Sequence, residues 1–545
     1  MLLIECNNIK KYYGDRLILD VEDLKIYDGD RIGIVGVNGV GKTTLINLLS
    51  QRLDPDEGFI RLHGIYSYVS QLDSPEGMDI DGEMASKFNI PNRWNEDMSG
   101  GEKTRFKLAE AFIENNPILF ADEPTSNLDM EGIELIGERL QEFKGALLLI
   151  SHDRSLLDIL CNKILEIEHE TIKIYTGNYS DYYEQKRIEM ERKEFEYSQY
   201  SKEKKRIKAM INDTRQKEQG IKRPPKRMGN SEARLHKMGG QRAKANLNRA
   251  IKNMEKRLDR LEVKEKPIEQ DIIKLDIQDA NRLYSKIVIE GKNVNKSFKD
   301  KLIFKNAEFN IFNGSKTALI GPNGCGKTTL IKMIMNRDIG INIAKGAKIG
   351  YFSQDMNILD DRLTIIENVM NTSVYDETFA RILLARLLFK RESVYKEVGL
   401  LSGGERVKVS FAKLILQDNN LLVLDEPNNY LDIKSLEVVE ETLEDYEGTL
   451  LFISHDRQFV NKIANQIMTI ENYKIKIFNG GYEEYIDRKK KIKNKNEHEE
   501  EIFILENRLS EIIGRLSMVL KDEEKEILDI EYHSILQSLR ELREI

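Results

Sequence analysis

The chain has 545 residues, of which 40% are hydrophobic and 32% charged, and a formal net charge of −8. That length exceeds what one hydrophobic core organises, so several domains are expected. No run approaches the ~18–20 apolar residues needed to cross a bilayer, and the opening MLLIECNNIKKYYGD lacks the basic flank and apolar core of a signal peptide. Cys6, Cys161 and Cys325 stand far apart, which argues against a disulfide framework and for a reduced, cytoplasmic setting.

In chain order, the apolar run RIGIV leads into GVNGVGKT, Gly36 to Thr43, and then into TTLI. This is the strand–loop–helix context of a phosphate loop. Gly36, Gly39 and Gly41, with Asn38, let consecutive backbone N–H groups turn onto phosphates at a helix N-terminus. Lys42 is expected at the β/γ-phosphates, and Thr43, followed by Thr44, on Mg²⁺. Gln71 ends YVSQ, within reach of the metal and the attacking water. Ser99, Gly100 and Gly101 in MSGGE open a helix whose N–H groups and hydroxyl suit a γ-phosphate, yet they lie too far along the fold to serve their own loop. The strand PILFADE ends in Asp122, expected on Mg²⁺ through water, and Glu123, expected to polarise the attacking water as general base. His152, in LLISHDR, fits a γ-phosphate contact. These parts make a first domain over 1–183.

From 184 to 266 glycine becomes scarce and charge dominates. Leu247, Ile251, Met254, Leu258 and Leu261 step 4, 3, 4, 3, a coiled-coil seam. A weaker arm from Gln185 to Arg215 carries Ile188, Phe195, Ile207 and Ile211. GIKRPPKRMGNS (220–231) forbids a continuous helix. The expectation is an antiparallel helical hairpin with its tip near 216–233 and arms of roughly 45 Å. Between Arg215 and Lys244 stand ten Lys/Arg against two acids. Cations focused on a projecting tip fit contact with the phosphate backbone of folded RNA, through Lys222, Arg223, Lys226, Arg227, Arg234 and Lys237, with Met228 at the loop.

The first set of parts then returns over 267–488. GPNGCGKT supplies Gly321, Asn323, Gly324, Gly326, Lys327 and Thr328, followed by Thr329; YFSQ ends in Gln354; LSGGE supplies Ser402, Gly403 and Gly404. LLVLDE ends in Asp425 and Glu426, and LFISHDR carries His455, so Thr328, Gln354 and Asp425 form the second expected metal set. Lys42 to Lys327 spans 285 residues and His152 to His455 spans 303, because the second copy is longer between Gln354 and Ser402. The tail, 489–545, has two heptad seams, Leu505–Leu509–Ile512–Leu516–Val519 and Leu528–Tyr532–Ile535–Leu539–Leu542, joined by KDEEKE. A second, C-terminal helical hairpin is expected. The fold class is therefore α/β, with two tandem P-loop NTPase domains joined by one helical hairpin and followed by another.

With both phosphate loops, MSGGE and LSGGE the chain resembles the ATP-binding-cassette superfamily, in which two cassettes sandwich two ATPs head to tail. The resemblance implies an ATPase with ATP and Mg²⁺, its cassettes paired within one monomer. Lys42 and Glu123 would face Ser402–Gly404 across one nucleotide, and Lys327 and Glu426 would face Ser99–Gly101 across the other. Tyr13 and Phe298 sit where the superfamily stacks adenine, with Tyr12 an equal alternative to Tyr13.

Transporters need membrane spans, and the DNA-repair members carry zinc modules or very long coiled coils, so neither membrane nor DNA is an expected partner. Two cassettes joined by a hairpin of ~80 residues resemble the ABC-F translation factors. This implies binding at the tRNA exit site of the 70S ribosome, with the hairpin directed at 23S rRNA, the P-site tRNA and the peptidyl-transferase centre. The short 71–99 segment, DEPTSNLD and DEPNNYLD, and KRMGNSEARLHKMG (226–239) resemble the antibiotic-resistance members of the Vga and VmlR types. Those protect ribosomes from pleuromutilins, lincosamides and streptogramin A drugs. Ser126 and Asn428 depart from the family pattern. A housekeeping ABC-F factor and a non-ribosomal ABC ATPase regulator remain the alternatives.

Overall fold

The structure is a computed structural model. It describes residues 1–70, 75, 77, 79–126, 128–219, 230–264, 283–298, 301–353, 358–389, 392–491, 505, 508, 509, 512 and 532–537, with side chains in 230–264 described from 243 onward.

Strands made only of apolar residues become the centres of parallel sheets, because helices cover both faces. In the first half, Ile118–Asp122 and Ala146–Ile150 are buried at every position. They belong to a nine-stranded sheet in which Arg31–Val35 lies parallel between Ala146–Ile150 and Lys163–Glu168. Alternating strands Leu2–Tyr13 and Arg16–Tyr27 form an antiparallel wing on this sheet. The second half repeats the plan as two sheets. Six strands run in the order Ile349–Phe352, Leu421–Asp425, Thr449–Ile453, Lys316–Ile320, Gln466–Glu471, Lys474–Asn479, and three more form the wing. In each half the loops that follow the parallel strands gather at one sheet edge, where α/β folds place ligands. Each phosphate loop, each Asp-Glu pair and each histidine emerges there.

The charged stretch folds as two long helices, Tyr179–Gln219 and Asn230–Asp259. The first starts before the expected position 184, and both helices extend into the expected 216–233 turn, of which 220–229 lie outside the described residues. Ile207, Ile211 and Ile251 are buried together, with Met254, Leu258 and Leu261 packed beside them. Ile188 and Phe195, expected on this seam, are instead 55% and 63% exposed, because the partner helix does not cover that part of the first arm. Lys222, Arg223, Lys226, Arg227 and Met228 lie outside the described residues, as do the side chains of Arg234 and Lys237. In the tail, Leu505, Leu509 and Ile512 of one expected seam pack with Tyr532 and Ile535 of the other; the remaining positions of both seams lie outside the described residues.

The first long helix is rooted in the first half. Tyr179 and Tyr182 are buried in its core. The carboxylate of Glu166, 2% exposed, accepts the Tyr182 hydroxyl at 2.9 Å and Lys186 Nζ at 2.6 Å. Glu168 accepts Lys186 at 2.8 Å and, from the second half, Lys434 at 3.0 Å. Burial alone would push the Glu168 carboxyl up, but the two lysines bring it down to about 2.

The halves also meet directly. Arg154 forms a two-pronged, buried ion pair with Glu440. Arg457 donates to Met130 O at 3.2 Å and to Glu134 at 3.1 Å.

Candidate functional site: two phosphate loops facing across one interface

Gly41 and Gly326 begin the phosphate-loop helices with φ of +109° and +112°. A Cβ there would approach Ile18 Cγ2 at 2.9 Å or Ile303 Cγ2 at 2.5 Å, so only glycine fits. Lys42 Nζ is held over its loop by Gly36 O at 2.8 Å and Asn38 Oδ1 at 3.3 Å, and Lys327 Nζ by Gly321 O at 2.8 Å and Pro322 O at 3.1 Å. Thr43 Oγ1 donates to Asp122 Oδ2 at 2.9 Å, and Thr328 Oγ1 to Asp425 Oδ1 at 3.5 Å. Burial raises both aspartates. These threonine–aspartate pairs are hard oxygen donors beside each loop and fit Mg²⁺.

Glu123 and Glu426 stand just past their strands at φ +51° and +53°, a left-handed backbone that is costly for a residue with a side chain. Their N–H groups are tied to Ile150 O at 2.9 Å and Ile453 O at 3.1 Å, so the turn is anchored to the neighbouring strand. This conformation brings each carboxylate to a histidine: His152 Nε2 lies 3.3 Å from Glu123 Oε1, and His455 Nε2 lies 3.2 Å from Glu426 Oε1. Burial pushes Glu123 up to about 8 and Glu426 to about 7, and pushes His152 down to about 3 and His455 to about 4. Glu123 Oε1 and His152 Nδ1 are buried without a hydrogen bond. Such atoms are a reserve of polarity for whatever enters.

Ser99 and Ser402 each cap their helix in a capping box, with Glu102 and Glu405 respectively. Ser402, Gly403 and Gly404 face the first phosphate loop: Asn38 Nδ2 donates to Tyr430 O at 2.8 Å, and a Cβ on Gly404 would stand 2.7 Å from Tyr430 O and 3.2 Å from Asn38 Nδ2. A cavity of about 1570 Å³ brings Lys42, Glu123 and His152 together with Ser402–Gly404, and with Lys327, Glu426 and His455. Asn38, Gly39, Gly41, Thr43, Thr44, Asp122 and Tyr13 line it from the first half; Asn323, Gly324, Gly326, Thr328, Thr329 and Asp425 line it from the second. Ser99, Gly100, Gly101, Gly36, Gly321 and Phe298 do not line it. Gln71 and Gln354 lie outside the described residues.

Sequence reasoning missed three charged residues beside the site, one that crosses the interface and two that pair within the second half. Asp129 Oδ2 accepts the backbone N–H of Asn323 across it at 2.8 Å. Lys408, 6% exposed, pairs with Asp432 at 2.7 Å. Laying the repeat on itself pairs Asp129 with Asp432 and Arg105 with Lys408, which was the available signal.

Comparison with known proteins accords with this geometry. Two family models, both described as "ABC transporter", match the chain, one over residues 19–77, 76–126 and 304–429, the other over 165–276. The chain is 32% identical to the ribosome protection protein VmlR of Bacillus subtilis, over 99% of this chain and 98% of that one. It is 33% identical to the erythromycin resistance ATP-binding protein MsrA of Staphylococcus epidermidis, over 85% and 96%. Among solved structures, an RNase-L inhibitor matches with a TM-score of 0.58 at 20% identity over 88% of this chain and 92% of that one, a likeness of fold. No described helix is long and apolar enough to cross a membrane.

Proposed function

The chain belongs to the ABC-F family of ATP-binding-cassette ATPases, and on that premise we propose that it binds the 70S ribosome in its ATP form and protects it from antibiotics of the peptidyl-transferase region. Being an ABC ATPase, it hydrolyses ATP.

The observation that carries the reading of its ATP chemistry is the shared cavity, in which one half supplies Lys42, Glu123 and His152 and the other supplies Ser402–Gly404. ATP is hydrolysed where the halves meet, so turnover and pairing are one event. Lys42 and the loop N–H groups bind the phosphates, Tyr13 stacks the base, and the N-terminus of the Ser402 helix takes the γ-phosphate from the opposite side. Glu123 and Glu426 accept a proton from the attacking water through the carboxylate oxygen nearest the histidine. His152 and His455, neutral through burial, orient that carboxylate and contact the γ-phosphate. Mg²⁺, held by Thr43 with Asp122 and by Thr328 with Asp425, would neutralise charge on the β- and γ-phosphates.

The helical pair projecting from this ATPase carries the function. A rigid arm of 41 residues, roughly 60 Å, tipped by a cationic segment, suits entry into a deep site walled by RNA phosphate. The exit site, 23S rRNA and the P-site tRNA are the contacts we assign, with pleuromutilin, lincosamide and streptogramin A drugs as those displaced, in the cytoplasm. The full-length likeness to a ribosome protection protein supports this.

Two measurements test it. The chain should sediment with 70S ribosomes when a non-hydrolysable ATP analogue is present and stay in solution without it. Shortening 222–228 to a Gly-Ser turn should abolish protection in a drug-susceptibility assay while ATP hydrolysis stays near wild type. Full protection by the shortened form defeats the mechanism, and ribosome binding without resistance to any such drug favours a housekeeping role.

A further inference from the structure

Asp129 and Asp432 occupy the same place in the repeat, and their Oδ1 atoms do the same work. Each caps the helix that follows, accepting Gly132 N–H at 2.9 Å and Ser435 N–H at 2.9 Å. Their Oδ2 atoms differ. Asp129 Oδ2 crosses the interface to the N–H of Asn323, inside the second phosphate loop. Asp432 Oδ2 stays within its own half, on Lys408 Nζ at 2.7 Å, and among the described residues it makes no bond to Asn38 N–H, the counterpart of Asn323. The side chains of the Lys408–Asp432 pair are both buried, so water does not compete for it. Arg105, in the place of Lys408, has a buried Nε without a hydrogen bond and pairs with no aspartate among the described residues. The segment carrying Asp432 already touches the first phosphate loop, through Tyr430 O on Asn38 Nδ2 at 2.8 Å. The chain around Asp432 thus already lies against the loop, and the Oδ2 that could reach it is taken up by Lys408.

We propose that Lys408 is a positioning residue that makes the two ATP sites unequal: it holds Asp432 in its own half, while Asp129 is left to latch the opposite phosphate loop. The Lys327 site is then the latched one and the Lys42 site the unlatched one. A latch between an aspartate of one half and the loop of the other exists only when the halves are paired, so ATP that pairs them is bound more tightly at the latched site. This rests on the reading above that both sites turn over, with Glu123 and Glu426 as bases.

The test separates the sites by silencing one at a time. In a Glu426→Gln background only the Lys42 site turns over, and in Glu123→Gln only the Lys327 site. Asp129→Asn keeps the helix cap but cannot accept at the second position, so it should raise KM for ATP at the Lys327 site by about fivefold or more, the worth of one hydrogen bond of ~1 kcal/mol. It should leave the Lys42 site alone. Lys408→Met frees Asp432 and should lower KM at the Lys42 site by a similar factor with little change in kcat, without moving the Lys327 site; Lys408→Arg should keep the wild-type inequality. Equal shifts at both sites, or none, overturn the proposal. Should Lys408→Met fold poorly, Lys408→Gln, which keeps a polar side chain but removes the charge that holds Asp432, makes the same test. Should the single glutamine variants keep full turnover, the base assignment is what fails. The proposal is then judged by equilibrium ATP binding: two unequal dissociation constants in the wild type, converging in Lys408→Met.

Discussion

Replacing Arg154 with methionine isolates the energy that holds the halves together. Glu440 is 1% exposed and is gripped by both Arg154 nitrogens, one at 3.3 Å. Losing one partner of a buried ion pair costs about 3–5 kcal/mol, because a charge is left without solvent or counter-ion. Here the loss is partial, since Lys462 keeps its own contact with Glu440 at 3.3 Å. About 2–3 kcal/mol is therefore expected. The pair joins residues 286 apart in different halves, so the cost falls on their pairing and not on the folding of either. At 1.4 kcal/mol per tenfold, ATP-dependent pairing should weaken about 30- to 140-fold. Titrating ATP against energy transfer between dyes on the two halves reads that shift, and kcat/KM for ATP should fall in parallel. Arg154→Met combined with Glu440→Met should recover most of the loss, because an apolar replacement of a buried pair is close to neutral. A single variant that pairs like wild type, or a double variant no better than the single, refutes the reasoning.

Ser402→Arg removes a helix cap and sets a cation on the wall opposite Lys42, so turnover at the Lys42 site should collapse although its phosphate loop is untouched; unchanged turnover in a Glu426→Gln background would mean that Ser402 does not face that nucleotide. Thermal stability should fall as pH rises from 6.5 to 8.5. Burial raises Glu123 to about 8 and Glu426 and Glu437 to about 7, so in that window the folded chain binds more protons than the unfolded one; His152 and His455, lowered by burial, oppose this only below ~6.5. A melting temperature that climbs over that range contradicts the burial argument. Because the base must be a carboxylate, kcat/KM for ATP should rise with pH and level off above about 8, and a flat profile would remove Glu123 and Glu426 from the role.

The ATP machinery was legible because its chemistry is local. GVNGVGKT dictates both the backbone turn at Gly41 and the lysine over it, and the serine of MSGGE and LSGGE caps a helix with the glutamate three residues on. The arms were legible in outline from the step of Leu247 to Leu261. Their limits were not: Tyr179 begins the long helix because its ring is buried in the first half's core, a long-range fact with no local mark, and Ile188 and Phe195 are apolar yet uncovered. The two aspartates show the same boundary. Both cap the helix that follows, through Oδ1. Where Oδ2 goes depends on groups elsewhere in the chain, the backbone N–H of Asn323 for one and Lys408 Nζ for the other, and no spacing encodes that choice.

The rooting of the long helix has a mechanical consequence. Tyr179 is fixed in the first half, and seven residues on, roughly 10 Å along the axis, Lys186 shares Glu168 with Lys434 of the second half. The helix continues unbroken to Gln219, so fulcrum, load point and free end lie on one stiff rod with arms in a ratio of roughly 1 to 6. A sideways displacement of ~1 Å at Lys186 sweeps Gln219 through about 6 Å. The rod thus trades force for travel: a tilt about Tyr179 that moves Lys186 by ~1 Å becomes, at the far end, a stroke longer than a helical turn.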